Sequence, residues 1–239
     1  MTKFVADKEF WDIFPNAAIG ILSLNNVQES KELSDSEAAE VEGFLKEAIK
    51  ESKKFLLSDT ISENPVVAEW RDAYQKFPTK KGARCSMENL LKRVLHDNPV
   101  GSIAPSVDIT NGISMKHAFP IGVEDKDKLD GGMNLGVMKG GEDFLPIGSD
   151  KQDPPLPGEL AYYDNTGVVC RCWNWRDGVR TEVTDDTKNE VILMECVEPD
   201  RVGELQTALD ELSELMVKYL GAEVSACAIL TKDKTEIEL

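Results

Sequence analysis

Short strand-like segments broken by glycine and proline occupy much of the chain after residue 99, and they restrict its possible folds more than any other feature. The segments are rich in valine, isoleucine and aromatic residues, and they read SVDIT, MNLGVMK, ELAYYD, GVVCRCWNW and EVILMECV. Short runs of this kind, bounded by turn residues, are typical of β-strands. Residues 99–198 therefore predict a segment built mainly from sheet.

Before this segment the pattern predicts helices that follow one strand. The apolar run AAIGILSL has the length of a strand, and Ser34 with Glu37 forms an S-x-x-E capping box for a helix that extends to about Phe55. Asn64 and Ser86 are residue types that cap helices, and each precedes a further helical segment. The first 98 residues are thus predicted to be mainly helical.

The C-terminal part predicts a long helix and a closing strand. Asp200 can cap the helix, leucines recur along it at helical spacing, and Gly221 is a natural stop before the strand EVSACAILT. A chain of 239 residues with 41% hydrophobic residues can bury one sizeable core. We therefore expect a single α/β (α+β) domain over residues 1–239, with residues 1–98 as its mainly helical part.

Charge and hydropathy exclude several classes of function. The net charge of −17 argues against a broad electrostatic surface for nucleic acid, so any RNA contact must be local and DNA is not expected. No run approaches the roughly 18 apolar residues of a membrane span, and the N-terminus lacks the features of a signal peptide. We expect a cytoplasmic protein without a membrane partner.

The five cysteines are odd in number and widely spread, which makes them a poor framework for disulfides. We expect free and mostly buried thiols. The sequence contains two histidines and no C-x-x-C motif, whereas a structural zinc site usually needs about four cysteine or histidine ligands. We therefore expect neither a metal nor a cofactor.

Positive charge is clustered in spite of the acidic composition. Basic residues gather in three places, which are the segment FPTKKGAR with Lys80, Lys81 and Arg84, the pair Lys92 and Arg93, and the later Arg171, Arg176 and Arg180. On charge alone two interpretations stay open. The residues are ordinary surface groups that balance acidic helices, or they form a local site for an anion such as RNA phosphate.

Strand alternation from Val168 to Trp175 predicts that Arg171, Trp173 and Trp175 share one face. Arginine beside tryptophan suits the stacking of a base or the binding of a phosphate, although a cation–π pair at the edge of a core uses the same residues. Glu182, in RTEVTDDT, also fits two roles. It is a solvated turn residue, or a pocket residue that accepts a hydrogen bond from a substrate hydroxyl or amine.

Several motifs occur in a recognisable order. VDITN ends at Asn111, a proline and an aspartate follow nine and fourteen positions later as Pro120 and Asp125, and KLDG and TEV come after them. This order resembles the B3/B4 editing domain of the bacterial phenylalanyl-tRNA synthetase β subunit, which has V-D-x-T-N, K-L-x-G and S-E-V at these places. The resemblance covers roughly residues 99–198. CRCWNWRDG and the basic segment upstream resemble free-standing members of that family.

The resemblance implies a fold, a partner and a chemistry. The implied fold is the B3/B4 core, a β-sandwich of unusual topology flanked by helices, and the implied partner is the aminoacylated 3′ end of a tRNA. In the synthetase this domain hydrolyses tyrosine wrongly attached to phenylalanine tRNA. A free-standing member is expected to act in trans as a deacylase of mischarged tRNA, with transient contact to a synthetase. A non-catalytic tRNA or aminoacyl-end binding module, and an acidic interaction protein without an RNA role, remain as alternatives.

The resemblance also implies roles for particular residues. Glu182 stands where the synthetase glutamate reads the tyrosine hydroxyl, and Gly122 stands where the family has a histidine. The glycine-rich wall of the amino-acid pocket falls on residues 174–178, which are bulkier and more polar, so the implied amino acid is smaller or more polar than tyrosine. We accordingly predict catalytic roles for Thr110, Asn111 and Arg176, substrate binding by Asn174, Trp175, Thr181 and Glu182, and tRNA binding by Lys80, Lys81, Arg84, Arg171 and Trp173.

Overall fold

The computed structural model describes residues 2–29, 33–98 and 100–239, which form two β-sheets with α-helices around them. The strands are β1 (Lys3–Ala6), β2 (Ala18–Asn25), β3 (Ile121–Asp125), β4 (Met133–Val137), β5 (Leu160–Tyr163), β6 (Val168–Arg171), β7 (Arg176–Asp177), β8 (Glu190–Cys196), β9 (Glu223–Leu230) and β10 (Glu236–Glu238). The helices are α1 (Lys8–Ile13), α2 (Asp35–Ser52), α3 (Pro65–Ala73), α4 (Ser86–Leu95), α5 (Pro105–His117) and α6 (Val202–Leu220).

Strand order separates the two sheets clearly. The first sheet runs β10-β1-β4-β5-β6-β7, in which β1 and β4 are parallel and the other pairs are antiparallel. The second sheet runs β3-β8-β2-β9 and is antiparallel throughout. Because β2 lies between β8 and β9, the N-terminal part of the chain supplies a central strand to a sheet that is otherwise built from its second half.

A hydrophobic core fills the space between the sheets, and a second one lies under the helices. Alternation along β8 sends Val191 and Leu193 into the core shared with the first sheet, whereas Ile192 and Met194 pack beneath α5 and α6. The observed architecture confirms the predicted mixed α/β fold.

Several local predictions are confirmed by hydrogen bonds and backbone angles. The Ser34 hydroxyl accepts from the Glu37 amide at 3.3 Å, the Glu37 carboxylate accepts from the Ser34 amide at 2.9 Å, and α2 begins there as the capping box requires. Gly221 ends α6 with a φ of 61°, a conformation that favours glycine. All five cysteines carry free thiols, and of these Cys227 is exposed while the others are buried.

The prediction of a strand at SVDIT is wrong, because these residues lie in α5. Pro105 occupies the first turn, where its missing N–H costs nothing, and the Asp108 carboxylate accepts from the Ile103 amide at 2.9 Å just before the helix. Helix α5 is buried on most sides, between α2, α6 and β3. A helix covered on several faces has no polar stripe, so its sequence lacks the helical period that would have distinguished it from a strand.

Candidate functional site

An open cleft with a volume of about 650 Å³ lies where the loop before α4 meets the turn between β6 and β7. Its lining comes from both sides of this junction and comprises Lys81, Gly82, Arg84, Asn89, Ile147, Trp175, Arg176 and Asp177. Four of these residues, Lys81, Arg84, Trp175 and Arg176, were predicted site residues. The structure therefore brings together predicted tRNA contacts, a predicted substrate contact and a predicted catalytic residue.

Ionic contacts below the cleft hold the basic loop in place. Lys80 pairs with Asp153, and Asp153 in turn accepts from Arg171 Nη1 at 2.7 Å. The guanidinium of Arg171 also makes a two-point contact with Glu159, at 2.9 and 2.6 Å. Because Arg171 is 0% exposed, it does not reach a ligand at the surface, and the Lys80 ammonium is paired with Asp153. We therefore reassign both residues from tRNA binding to positioning of the loop.

The strand predicted through Trp175 ends at Arg171, and this changes the place of Trp173. Cys172 and Trp173 have φ values of 48° and 63°, so the chain turns sharply and the alternation of faces stops. The Trp173 ring, 0% exposed, packs 4.8 Å from Phe14 and 4.9 Å from Trp70, measured between ring centroids. Trp173 is a core residue, and the prediction that it contacts tRNA is not retained.

The same turn delivers Trp175 and Arg176 to the cleft. Trp175 is partly buried, Arg176 is exposed, and the guanidinium carbon lies 4.8 Å from the centre of the Trp175 ring. A cation over an aromatic face is attractive, and the pair leaves an aromatic surface and N–H donors at the mouth of the cleft. Such a pair can stack a base or bind an anion.

The Asn174 side chain points away from the cleft, into a buried network of hydrogen bonds. Its Oδ1 accepts from the Tyr74 hydroxyl at 2.9 Å, and its Nδ2 donates to Glu195 at 3.1 Å. Tyr162 donates to the other oxygen of Glu195 at 2.5 Å. Burial raises the pKa of Glu195 to about 8, although these hydrogen bonds oppose the shift. Asn174 thus supports the wall of the cleft from behind.

The Asp177 carboxyl belongs to the cleft wall and is electrostatically unusual. Burial raises its pKa, a hydrogen bond with the Cys170 thiol opposes this, and the negative charge of Glu182 raises the pKa further. Glu182 itself is not among the described residues that line the cleft.

Two contacts fix the segment that carries Thr181 and Glu182. Arg180 makes a two-point contact with Asp164, both distances being 2.7 Å, and Lys128 Nζ donates to the Glu182 carbonyl at 2.8 Å. Thr181 is fully buried and Glu182 is half-buried. These contacts position Glu182 well, but they leave Thr181 inside the protein.

Thr110 and Asn111 lie on α5, away from the described lining of the cleft. Thr110 is buried, and its hydroxyl donates to the Val107 carbonyl of the same helix at 2.9 Å. Asn111 is partly exposed. The structure therefore does not bring these two predicted catalytic residues to the cleft.

Comparison with known proteins agrees with this architecture. The B3/4 domain family matches residues 69–221, well over half of the chain. The chain belongs to the B3/4 domain family. It is 25% identical over 145 residues to the phenylalanine–tRNA ligase β subunit of Mycobacterium leprae (strain TN), a match that covers 60% of this chain and 17% of that protein. The chain thus spans about a sixth of the length of this curated relative.

A solved structure shows the same fold. An N-terminal fragment of the phenylalanyl-tRNA synthetase β subunit from Pyrococcus horikoshii superposes with a TM-score of 0.52 and 13% identity, over 98% of this chain and 53% of the fragment. The likeness in fold therefore covers nearly all of the present chain, including strands β1 and β2 outside the family match.

Two motif residues of this B3/4 domain, Asp125 and Lys128, make contacts that explain their spacing in the sequence. The Asp125 carboxylate accepts from the Asp127 amide at 3.1 Å and from the Thr187 hydroxyl at 2.8 Å, and it pairs with Lys128 at 3.1 Å. Asp125 and Lys128 thereby tie the turn after β3 to the loop that begins at Glu182. Their spacing in the sequence is the one that this contact between the turn and the loop requires.

Gly122 leaves space in the B3/4 domain at the position where the resemblance implies a histidine. It lies on β3, and alternation places it on the same face as Glu124, toward the first sheet. A Cβ atom added at Gly122 would meet no atom within 4 Å. The position can therefore accept a Cβ atom without displacing its neighbours.

Some cleft residues were missed by the sequence analysis. Asn89 carries no charge and belongs to no motif, yet it starts the exposed face of α4, where residues at i, i+3, i+4 and i+7 recur as Asn89, Lys92, Arg93 and His96. That helical spacing was the available signal. Gly82 lies between the predicted residues Lys81 and Arg84, whereas Ile147 comes from a separate loop that nothing in the sequence alone brings to the cleft.

The described part of the chain contains no group of three or more His, Cys, Asp or Glu side chains arranged to hold a metal ion. Within that same part, none of the helices combines the length and apolar character needed to cross a bilayer.

Proposed function

We propose that this B3/4 domain is a trans-editing aminoacyl-tRNA deacylase, which hydrolyses the ester bond of a mischarged tRNA in the cytoplasm after the tRNA leaves a synthetase. One observation carries the proposal. The cleft combines a cationic rim, from Lys81, Arg84 and Arg176, with the aromatic face of Trp175 and the carboxyl of Asp177. The two compared proteins are β subunits of phenylalanyl-tRNA synthetases, so an aminoacylated tRNA 3′ end is the ligand that fits both the family and the cleft.

The rim and the tryptophan suit the nucleotide part of such a ligand. Lys81 and Arg84 provide N–H donors and positive charge for phosphates, which supply much of the affinity for RNA. Trp175 offers a ring on which a terminal base can stack, an interaction worth about 1 to 3 kcal/mol per base. The acceptor end would then lie across the cleft with the ester directed toward Arg176 and Asp177.

The reaction requires no side-chain nucleophile. A water molecule attacks the ester carbonyl carbon and gives up a proton, the bond to the ribose oxygen breaks, and that oxygen takes a proton, so the products are the free amino acid and a tRNA with a restored hydroxyl. Arg176 would donate to the oxyanion that forms, a contribution of about 3 to 4 kcal/mol in known acyl-transfer sites. The carboxyl of Asp177 would accept a hydrogen bond from the attacking water.

We further propose that Glu182 selects the amino acid. Its backbone is anchored by Lys128, and its charge reaches the wall of the cleft through Asp177. Glu182→Gln keeps the size of the side chain and removes the charge. It should change which amino acid is released, whereas unchanged selectivity would assign Glu182 to structure. Asn111→Ala tests the family role of the motif on α5 by its effect on the rate.

A panel of misacylated tRNAs with labelled amino acids tests the main proposal. The wild-type chain should release at least one amino acid faster than buffer does, and Arg176→Ala should slow that release by about 10² to 10³ if the oxyanion contact is lost. Lys232→Ala, at an exposed position between β9 and β10, is the matched control. Release at the buffer rate across the whole panel would refute the deacylase.

A non-catalytic aminoacyl-end binding module is the second candidate, and two observations favour it. Gly122 offers no side chain where the family has a histidine, and the Thr110 hydroxyl is used inside its own helix. Such a module would bind aminoacylated tRNA more tightly than uncharged tRNA and leave the ester intact. Both quantities can be measured on the same labelled panel.

A further inference from the structure

The exposed face of α4 forms a basic stripe that begins in the cleft. Asn89, Lys92, Arg93 and His96 are all exposed, and their spacing puts them on one side of the helix, while Leu91 lies on the buried side. We call these four residues the α4 stripe.

The α4 stripe also borders hollows outside the cleft. A second hollow of about 500 Å³ lies beside the cleft, and its described lining is Arg84, Asn89, Lys92, Arg93, His96 and Asn98. Arg84 and Asn89 line both hollows, so the cleft and the second hollow adjoin each other. The described lining of the second hollow carries three cationic side chains, Arg84, Lys92 and Arg93, on a chain whose net charge is −17.

We propose that the α4 stripe is a track for the phosphate backbone of the tRNA acceptor stem, leading away from the 3′ end held in the cleft. The proposal rests on the proposed function for the identity of the RNA. From Asn89 to His96 the helix rises seven residues, or about 10 Å at about 1.5 Å each. This length is comparable with that of a few stacked nucleotides, which follow one another at about 3.4 Å along the axis of a duplex.

A purely structural role of Lys92 and Arg93 would explain part of the charge pattern on α4. Lys92 and Arg93 lie in the last turn of α4, where cations stabilise the negative end of the helix dipole. That role predicts an effect on folding stability and none on RNA affinity. It also gives no reason for Asn89 and Arg84 to extend the same surface into the cleft.

The test compares two probes over a salt series with the full chain. The probes are a mixture of deacylated tRNAs, which has an acceptor stem, and the ribotrinucleotide CCA, which does not. Lys92→Gln/Arg93→Gln should lower the slope of log affinity against log salt for tRNA by about 1.4 to 1.8, since each lost phosphate contact contributes about 0.7 to 0.9. If the affinities converge at about 1 M salt, this corresponds to roughly 25- to 60-fold weaker tRNA binding at about 0.1 M. Binding of CCA should be unchanged.

Two further variants serve as controls. Lys46→Gln/Lys50→Gln removes the same charge from the exposed surface of α2 and should leave tRNA affinity within about twofold of wild type. Lys92→Arg/Arg93→Lys keeps the charge of the stripe and should keep the wild-type slope.

Three results would overturn the proposal. They are a wild-type slope in the Lys92→Gln/Arg93→Gln variant, an equal loss of CCA and tRNA binding in that variant, and a loss of slope in the charge-preserving swap. The proposed function fails by a different result, namely an intact ester in the labelled tRNA panel, which leaves the binding slopes measurable.

Discussion

Glu195 gives the sharpest test of the buried polar network behind the cleft. Its carboxyl is 0% exposed, and burial raises its pKa from an ordinary 4.5 to about 8. A carboxyl with a raised folded-state pKa binds more protons folded than unfolded, so its contribution to stability is fully present below about pH 4.5 and is lost as the pH rises through about 8. Between these values the free energy of unfolding falls by up to about 1.4 kcal/mol per pH unit.

Glu195→Gln removes this titration while keeping the shape of the side chain. The amide oxygen can still accept from the Tyr162 hydroxyl, and rotation of the Asn174 amide can satisfy the new N–H₂ group. From pH 5 to pH 8 the wild type should lose about 3 to 4 kcal/mol of stability more than the variant does. Other buried carboxyls with raised pKa values, such as Glu69 at about 7, titrate in both proteins and cancel in the difference.

The assay is urea unfolding followed by tryptophan fluorescence at each pH, with the variant Glu214→Gln as a control on the exposed side of α6. Equal denaturant slopes at each pH are needed before the free energies are compared. If the wild type and Glu195→Gln lose stability in parallel from pH 5 to pH 8, Glu195 is ionised in the folded protein and our reasoning about its burial is refuted.

Three further perturbations probe the core and the cleft. Trp173→Ala should lower the free energy of unfolding by about 3 to 5 kcal/mol, measured by urea titration, because it empties a site among packed aromatic rings; a loss below about 1 kcal/mol would mean that the ring is solvent-exposed. Glu159→Gln should lower the free energy of unfolding by a similar amount, because the substitution removes the two-point carboxylate partner of the buried Arg171. Unchanged stability would contradict the ionic network. Gly122→His should fold, since the added Cβ meets no atom within 4 Å, and should increase deacylation of a labelled tRNA if the histidine that the resemblance implies is what the site lacks. A lower rate with intact folding would show that the present site works without it.

Much of the fold could be predicted from the sequence because its signals are local. The strand at AAIGILSL, the capping box at Ser34 and the stop at Gly221 all depend on residues within a few positions of each other. The errors arose where tertiary burial removes or overrides a local signal. Helix α5 is covered on several faces and so lacks a polar stripe, and the turn at Cys172 and Trp173 uses left-handed backbone conformations without a glycine to mark it.

The candidate site likewise contains residues that could be predicted from the sequence and residues that could not. Lys81, Arg84 and Arg176 could be predicted because the protein gathers positive charge there against an acidic background, and because the motifs resemble a known family. Arg171 has the same charge but lies in the core, since Glu159 and Asp153 meet it from loops whose arrangement the sequence does not reveal. Charge alone therefore identifies candidates for a surface, and burial decides which of them reach it.

The acidic net charge and the basic cleft are compatible because electrostatic range in solution is short. At physiological ionic strength the Debye length is about 8 Å, less than the roughly 10 Å length of the α4 stripe, so most of the acidic surface is screened from an RNA phosphate bound there. At low salt this screening weakens, and repulsion from the net charge of −17 opposes the gain from local contacts. If the proposed RNA binding occurs, its absolute salt slope should therefore be smaller than the number of phosphate contacts implies. The difference in slope between variants of equal net charge, one changed on α4 and one on α2, isolates the contacts themselves.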